Sequence, residues 1–302
     1  MTVFTVRHVT RYAYRRPVGF GEHRLMFRPR DSADQRLIHA GLRVTPASSV
    51  RWIHDVFGNC VTFVAIKEPA RELRFESLIR LEHTPQDGPE LLIDDAALCY
   101  PFAYPEEEAA DLAPTVAMQY PDDTVRRWAR RFLRSGRATE TGRLLMTLCF
   151  AIHESFAYSR RSERGTQPPA VTLARRRGTC RDFALLMNDA LRSLGFAARF
   201  VSGYVYVPDR DDATIQGGGA THAWAQVYLP GAGWVEFDPT NGIVGNRDLI
   251  RVAVARTPEQ ATPLSGSYDG APADFAGMTV EVNVTTGTGN AHEFESEAAE
   301  PP

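Results

Sequence analysis

No two cysteines in this 302-residue chain stand close enough to make a CxxC pair. Cys60, Cys99, Cys149 and Cys180 are far apart, which removes zinc-type spacing and argues against a disulfide framework. No metal or cofactor is implied. A basic surplus is missing too: 34 Lys and Arg face 37 Asp and Glu, for a net charge of -3. Arginine far outnumbers lysine, but the arginines are interspersed with acids, so no nucleic-acid partner is expected. No run approaches the length of a membrane-spanning helix, so no membrane partner is expected either. The opening "MTVFTVRHVTRYAYRRP" alternates and carries charge, unlike a secretory leader. A cytoplasmic location is the expectation.

What is present has the composition of a globular protein long enough for two domains. The pattern predicts an α+β fold. Residues 1–90 alternate with period two and carry turn signals, which predicts an antiparallel β-sandwich-like domain. Within it "RWIHDVFGNCVTFVAI" reads as a hairpin. Asp55 and Gly58-Asn59 supply its turn chemistry, and His54, Asp55 and Cys60 are explained by turn and core roles. Residues 91–120, rich in Pro, Asp, Glu and Ala, read as a linker wrapping onto the next domain. Residues 121–255 read as a core of helices packed on an antiparallel sheet. Asp122 or Asp123 caps its first helix, and the second, "GRLLMTLCFAIHESF", places Cys149 in the core and leaves His153 structural. Residues 256–302 read as an extension with one further strand, "MTVEVNVTT", and a solvated acidic tail containing His292.

The chemistry concentrates in "RRRGTCRDFALLMNDALRSLGF". Phe183, Leu186, Met187, Ala190, Leu191 and Leu194 form one apolar helical stripe. Arg181, Asn188 and Arg192 fall on the opposite side, and Gly195 closes the helix. Cys180 sits in the first turn. There the unpaired N–H groups and the positive end of the helix dipole favour an anion. Arg175, Arg176, Arg177 and Arg181 add positive potential, and Gly178 allows close approach just before the thiol. Such surroundings make a thiolate, and the Cys180 backbone N–H is then an oxyanion donor.

A thiolate nucleophile needs an imidazole and a group to orient it. His222 opens the strand "HAWAQVYL", where His222, Trp224, Gln226 and Tyr228 share a face. In the next strand, "WVEFD", Trp234, Glu236 and Asp238 share one. Pairing Tyr228 with Trp234 around the "PGAG" turn puts Asp238 opposite Trp224 and makes His222 its diagonal neighbour. An even loop would part them. The small apolar set should face the core or the helix, and the polar set a cleft.

"GTCRDFA" and "THAWAQVYLPGAGWVEFDPTNG", in this order, resemble the transglutaminase-like superfamily of papain-type cysteine enzymes. Its bacterial branch often carries an N-terminal β domain. The resemblance implies a papain/transglutaminase-like core over 121–255, with Cys180 as nucleophile, His222 as base and then acid, and Asp238 as orienter. The function it implies is a hydrolase acting on a peptide, protein or amide through a thioester. The alternatives are an acyl or amine transferase and a non-catalytic interaction module. An arylamine N-acetyltransferase relative fits less well, because a single glycine precedes Thr179. Tyr158 is a candidate second oxyanion donor. Asp182 and Trp224 are candidate cleft residues, with capping and hairpin packing as their structural alternatives. Asn241 reads as a turn residue.

Overall fold

Alternating residues of the first strand, β1 (Thr2–Phe20), turn inward and set the frame of the N-terminal domain. The computed structural model describes residues 1–85, 91–159, 165–208 and 219–287. β1 pairs antiparallel with β6 (Ala70–His83), which pairs with β3 (Gln35–Thr45). A second sheet holds β2 (His23–Leu25), β5 (Cys60–Ile66) and β4 (Ser48–His54). Leu25, Phe27, Leu42, Val64, Leu73 and Phe75 fill the space between the sheets.

The stretch 256–302, expected to add one strand, contributes three among its described residues. They are β16 (Leu264–Ser265), β17 (Tyr268–Asp269) and β18 (Phe275–Thr286). β18 runs along β1 from Phe4–Thr286 to Tyr14–Phe275, β17 extends the same strand's pairing, and β16 joins β2. The far end of the chain therefore completes both N-terminal sheets. An edge strand taken from more than 260 residues away leaves no local mark in the sequence. The expected acidic tail, with His292, lies outside the described residues.

The stretch read as a linker carries a helix, α1 (Glu106–Val116), whose three first-turn glutamates suit the positive end of its dipole. It also holds β7 (Cys99–Tyr100), paired with β8 (Thr139–Glu140). Three helices follow: α2 (Asp123–Arg130), capped by Asp122 Oδ1 accepting from Thr124 N at 2.6 Å, then α3 (Thr141–Ser155) and α4 (Pro169–Arg175). The central helix, α5 (Cys180–Ser193), lies against a five-stranded antiparallel sheet. Its strand order is β14 (Ile243–Val244), β13 (Gly233–Asp238), β12 (His222–Leu229), β11 (Ala198–Val205) and β15 (Leu249–Ala255).

Phe183, Leu186, Met187, Ala190, Leu191 and Leu194 pack with Leu145, Leu148 and Ile152 of α3 and with Ala225, Val227 and Phe237 of the sheet. Truncating Leu186 to Ala would cost about 2–5 kcal/mol. On the opposite side of α5, Arg181 is exposed but Asn188 and Arg192 are covered. Asn188 is buried, and Arg192 donates through Nε and Nη2 to the carbonyls of Thr115, Ala198 and Arg256 at 2.7–3.2 Å. Only a long-range neighbour makes a buried arginine tolerable, and that neighbour is not legible in the helix itself.

The sandwich docks on the core sheet through Phe4, Val6, Ile79 and Leu81 against Tyr204, Ile250 and Val252. His8 Nδ1 lies 2.9 Å from Tyr204 Oη there, and burial lowers the His8 pKa to about 4, so the imidazole is neutral. Among the described residues, no helix is long and apolar enough to cross a membrane.

Candidate active site

The turn from β12 to β13 sets the register. Tyr228 pairs with Trp234 and Leu229 with Gly233, leaving Pro230, Gly231 and Ala232 between the last pair. The loop is odd, so His222 and Asp238 fall on one face, and His222 Nε2 lies 2.8 Å from Asp238 Oδ2. Asp238 is 0% exposed and His222 1%. The apolar set of both strands faces α3 and α5 as expected.

Asp238 is held from three directions. Besides the imidazole, Thr240 N donates to Oδ1 at 2.9 Å and Asn241 Nδ2 donates to Oδ2 at 2.7 Å. Burial alone would raise its pKa, but the His222 charge and these hydrogen bonds reverse the shift and hold it below 3.8. For His222, burial pulls downward. The Asp238 charge and hydrogen bond and the neighbouring Cys180 thiol outweigh it and lift the imidazole to about 10. His222 Nδ1 is buried and takes no well-aligned hydrogen bond among the described residues. It is the nitrogen left to face the thiol, since Nε2 is engaged by Asp238.

Cys180 opens α5 and is 6% exposed. As the first residue of the helix its N–H has no intrahelical acceptor. Burial raises the Cys60 and Cys149 pKa values and keeps those groups as thiols, whereas Cys99 is exposed. Tyr158 belongs to β9 (Ala157–Tyr158), which runs parallel to β10 (Arg177–Gly178) and sets Tyr158 beside Gly178. Its half-buried ring packs against the cluster containing Cys180.

Two expected cleft residues are not there. Asp182 is fully buried and turned back on the helix start. Oδ2 accepts from Thr179 N at 2.8 Å and Thr179 Oγ1 at 2.9 Å, and Oδ1 accepts from Gln167 N at 2.7 Å. It caps α5 and anchors the incoming loop. Gly178 serves the same junction, because a Cβ there would meet Asp182 Cβ at 2.8 Å. Trp224 is fully buried, stacked at 28° on His222 with 5.9 Å between ring centroids. It shields the imidazole and touches no open surface. Trp234 instead takes the Arg199 guanidinium over its ring at 4.0 Å.

The polar strand face is not a cleft either. Gln226 and Glu236 are buried, and Arg251 bridges Glu236 to Asp34 of the N-terminal domain, with Arg251 Nη2–Asp34 Oδ1 at 2.8 Å. Arg175, Arg176, Arg177 and Arg181 are all exposed and coat the surface around the helix start.

Asn241, expected only to form a turn, also holds the carboxylate. Its spacing of three from Asp238 is the signal in the sequence, since a turn returns that position to the carboxylate. α3 supports the same turn: His153 Nδ1 lies 2.9 Å from the Thr240 carbonyl oxygen, consistent with a donated hydrogen bond. Among the described residues, no group of three or more His, Cys, Asp or Glu is placed to hold a metal ion.

A thiol at a helix start, an imidazole and a buried carboxylate on a papain-like arrangement define a cysteine-enzyme fold. The transglutaminase-like superfamily matches residues 126–239, and the bacterial transglutaminase-like N-terminal region matches residues 4–82. An uncharacterized Mycobacterium tuberculosis protein is 32% identical over 279 residues, covering 87% of this chain and 86% of its own. One from Mycobacterium leprae is 30% identical over 301 residues, covering 92% and 97%. A solved structure from Cytophaga hutchinsonii, described as a candidate cysteine protease, superposes with a TM-score of 0.70 at 18% identity. It covers 96% of this chain and 91% of its own. The chain belongs to the transglutaminase-like superfamily.

Proposed function

We propose that this protein is a thiol hydrolase of amide or peptide bonds, working through Cys180, His222 and Asp238. The observation that carries the reading is the buried 2.8 Å His222–Asp238 contact, which leaves the second imidazole nitrogen for a thiol at a helix N-terminus. In the first step Cys180 Sγ bonds to the substrate carbonyl carbon. The Cys180 N–H stabilises the oxyanion, with Tyr158 as the second candidate donor. As the C–N bond breaks, imidazolium His222 gives its proton to the leaving amine and a thioester remains. His222 then takes a proton from water, whose oxygen attacks the thioester, and the proton returns to the departing sulfur. Asp238 holds the imidazole orientation throughout.

An amine taking the place of water gives the transferase reading, which the superfamily membership also supports. A non-catalytic module fits less well, because it gives no reason to hold a carboxylate and imidazole together in a dry site. The four free cysteines suit a reducing compartment, which supports a cytoplasmic placement.

The test is a peptide and amide library assayed with wild type and Cys180→Ala, with and without added amine. Hydrolysis lost in the variant supports the hydrolase. Dominance of amide product over hydrolysis makes the protein a transferase, and turnover that survives Cys180→Ala removes the thiol mechanism.

A further inference from the structure

The hairpin turn Asp55–Asn59 has a role beyond its own turn chemistry. Asp55 Oδ1 accepts from Phe57 N and Asn59 N, each at 2.9 Å, which fixes the turn internally. The turn is then tied to the catalytic sheet. Asn59, buried, donates through Nδ2 to the Val254 carbonyl at 2.7 Å, and its Oδ1 accepts from Val254 N at 2.9 Å. A side chain that satisfies both backbone groups of one residue docks the turn at a single register.

That register sets Phe57 against the core sheet beside Val254. Its half-buried ring packs against the cluster holding Cys180, Met26 and Val61, and also against the cluster holding Trp224, the residue stacked on His222. Phe57 therefore packs against both the cluster that includes the thiol and the cluster that includes the tryptophan stacked on the imidazole. Val56 beside it is 92% exposed, so the turn reaches solvent. Tyr158 is a second half-buried aromatic packed on the Cys180 cluster.

Resting on the thiol-nucleophile reading above, we propose that Phe57 is a specificity-determining residue and that the substrate carries an apolar side chain next to the carbonyl under attack. The N-terminal domain thus supplies a wall of the site through one anchored turn. A small or charged group next to the carbonyl leaves the ring face either unfilled or facing a desolvated charge.

Two alkylating reagents of unequal shape test this without knowledge of the substrate. Full-length protein is treated with iodoacetamide or N-benzyl iodoacetamide, and modification is read site by site by mass spectrometry. Exposed Cys99, reacting in the same tube, corrects for intrinsic reactivity. The normalised preference of Cys180 for the benzyl reagent is expected to be about tenfold or more, the usual worth of an apolar contact in a pocket. It is expected to fall towards one in Phe57→Ser and to persist in Phe57→Leu. Because unfolding would also bring the ratio towards one, a thermal melt of each variant establishes that the protein is folded under the labelling conditions. A wild-type ratio near one, or an unchanged ratio in Phe57→Ser, overturns the proposal. The wild-type ratio decides by itself should the serine variant fail to fold. Fast Cys180 alkylation without shape preference defeats the Phe57 assignment alone, whereas Cys180 no faster than Cys99 with either reagent defeats the nucleophile reading as well.

Discussion

Asp238 Oδ2 and His222 Nε2 lie 2.8 Å apart with both side chains closed to solvent. In such a site an ion pair is stable only while both charges persist. Asp238→Asn removes the charge and the charged hydrogen bond that lift His222, so the imidazole pKa falls from its raised value. The variant is expected to fold and to lose activity by about 10³–10⁴-fold. Turnover of a library-identified amide gives the rate, and imidazole NMR gives the protonation state.

The same pair sets a pH window for stability. The His222 pKa is raised from 6.5 to about 10 in the folded protein, so its contribution is complete below pH 6.5 and is lost as pH rises towards about 10. The Asp238 pKa is held below 3.8, so its contribution is present above that value and is lost only as pH falls through the lowered one. The melting-temperature advantage of wild type over Asp238→Asn should be largest between these limits, near pH 5–6, and should narrow steadily from pH 6.5 to 10. Differential scanning fluorimetry across that range measures it. An advantage that grows with pH would reverse the assigned charges.

Asn241 Nδ2 donates to the oxygen of Asp238 that also meets His222. A hydrogen bond to a charged group is worth about 1.5–3 kcal/mol. Asn241→Ala should therefore lower kcat by about tenfold or more while leaving KM nearly unchanged, because it loosens the orienter and touches no substrate. Steady-state kinetics separate the two constants.

Asp182 receives three hydrogen bonds of 2.7–2.9 Å at the start of α5. Asp182→Ala removes a cap and strands buried N–H donors, at a cost of about 2–4 kcal/mol. Urea unfolding should show this as a lower midpoint at an unchanged slope. Alkylation of Cys180 should also slow, since the turn that carries the thiol is the one uncapped.

The parts of this site legible in the sequence are those governed by local period and turn length. The stripe of α5 comes from 3.6-residue spacing, and the odd turn after Leu229 fixes the His222–Asp238 face by parity alone. What failed depended on distant chain. Trp224 and Gln226 looked like cleft residues because the strand alternates, yet Trp224 is fully buried on the imidazole, and Gln226 is tied to Glu236 and through Arg251 to Asp34. Asp182 looked like a cleft acid because it follows the thiol by two, whereas the Gln167 loop turns it inward. β18 was readable as a strand, but its partner β1 was not, because pairing across more than 260 residues has no local signal.

The central claim is that Cys180 is an activated nucleophile, and its reactivity against exposed Cys99 tests that most directly. Site-resolved iodoacetamide labelling near pH 7 should modify Cys180 at least about tenfold faster than Cys99, as expected of a nucleophile at a helix start paired with an imidazole. His222→Ala should bring the two rates together. Cys180 reacting no faster than Cys99 in the wild-type protein would contradict the account.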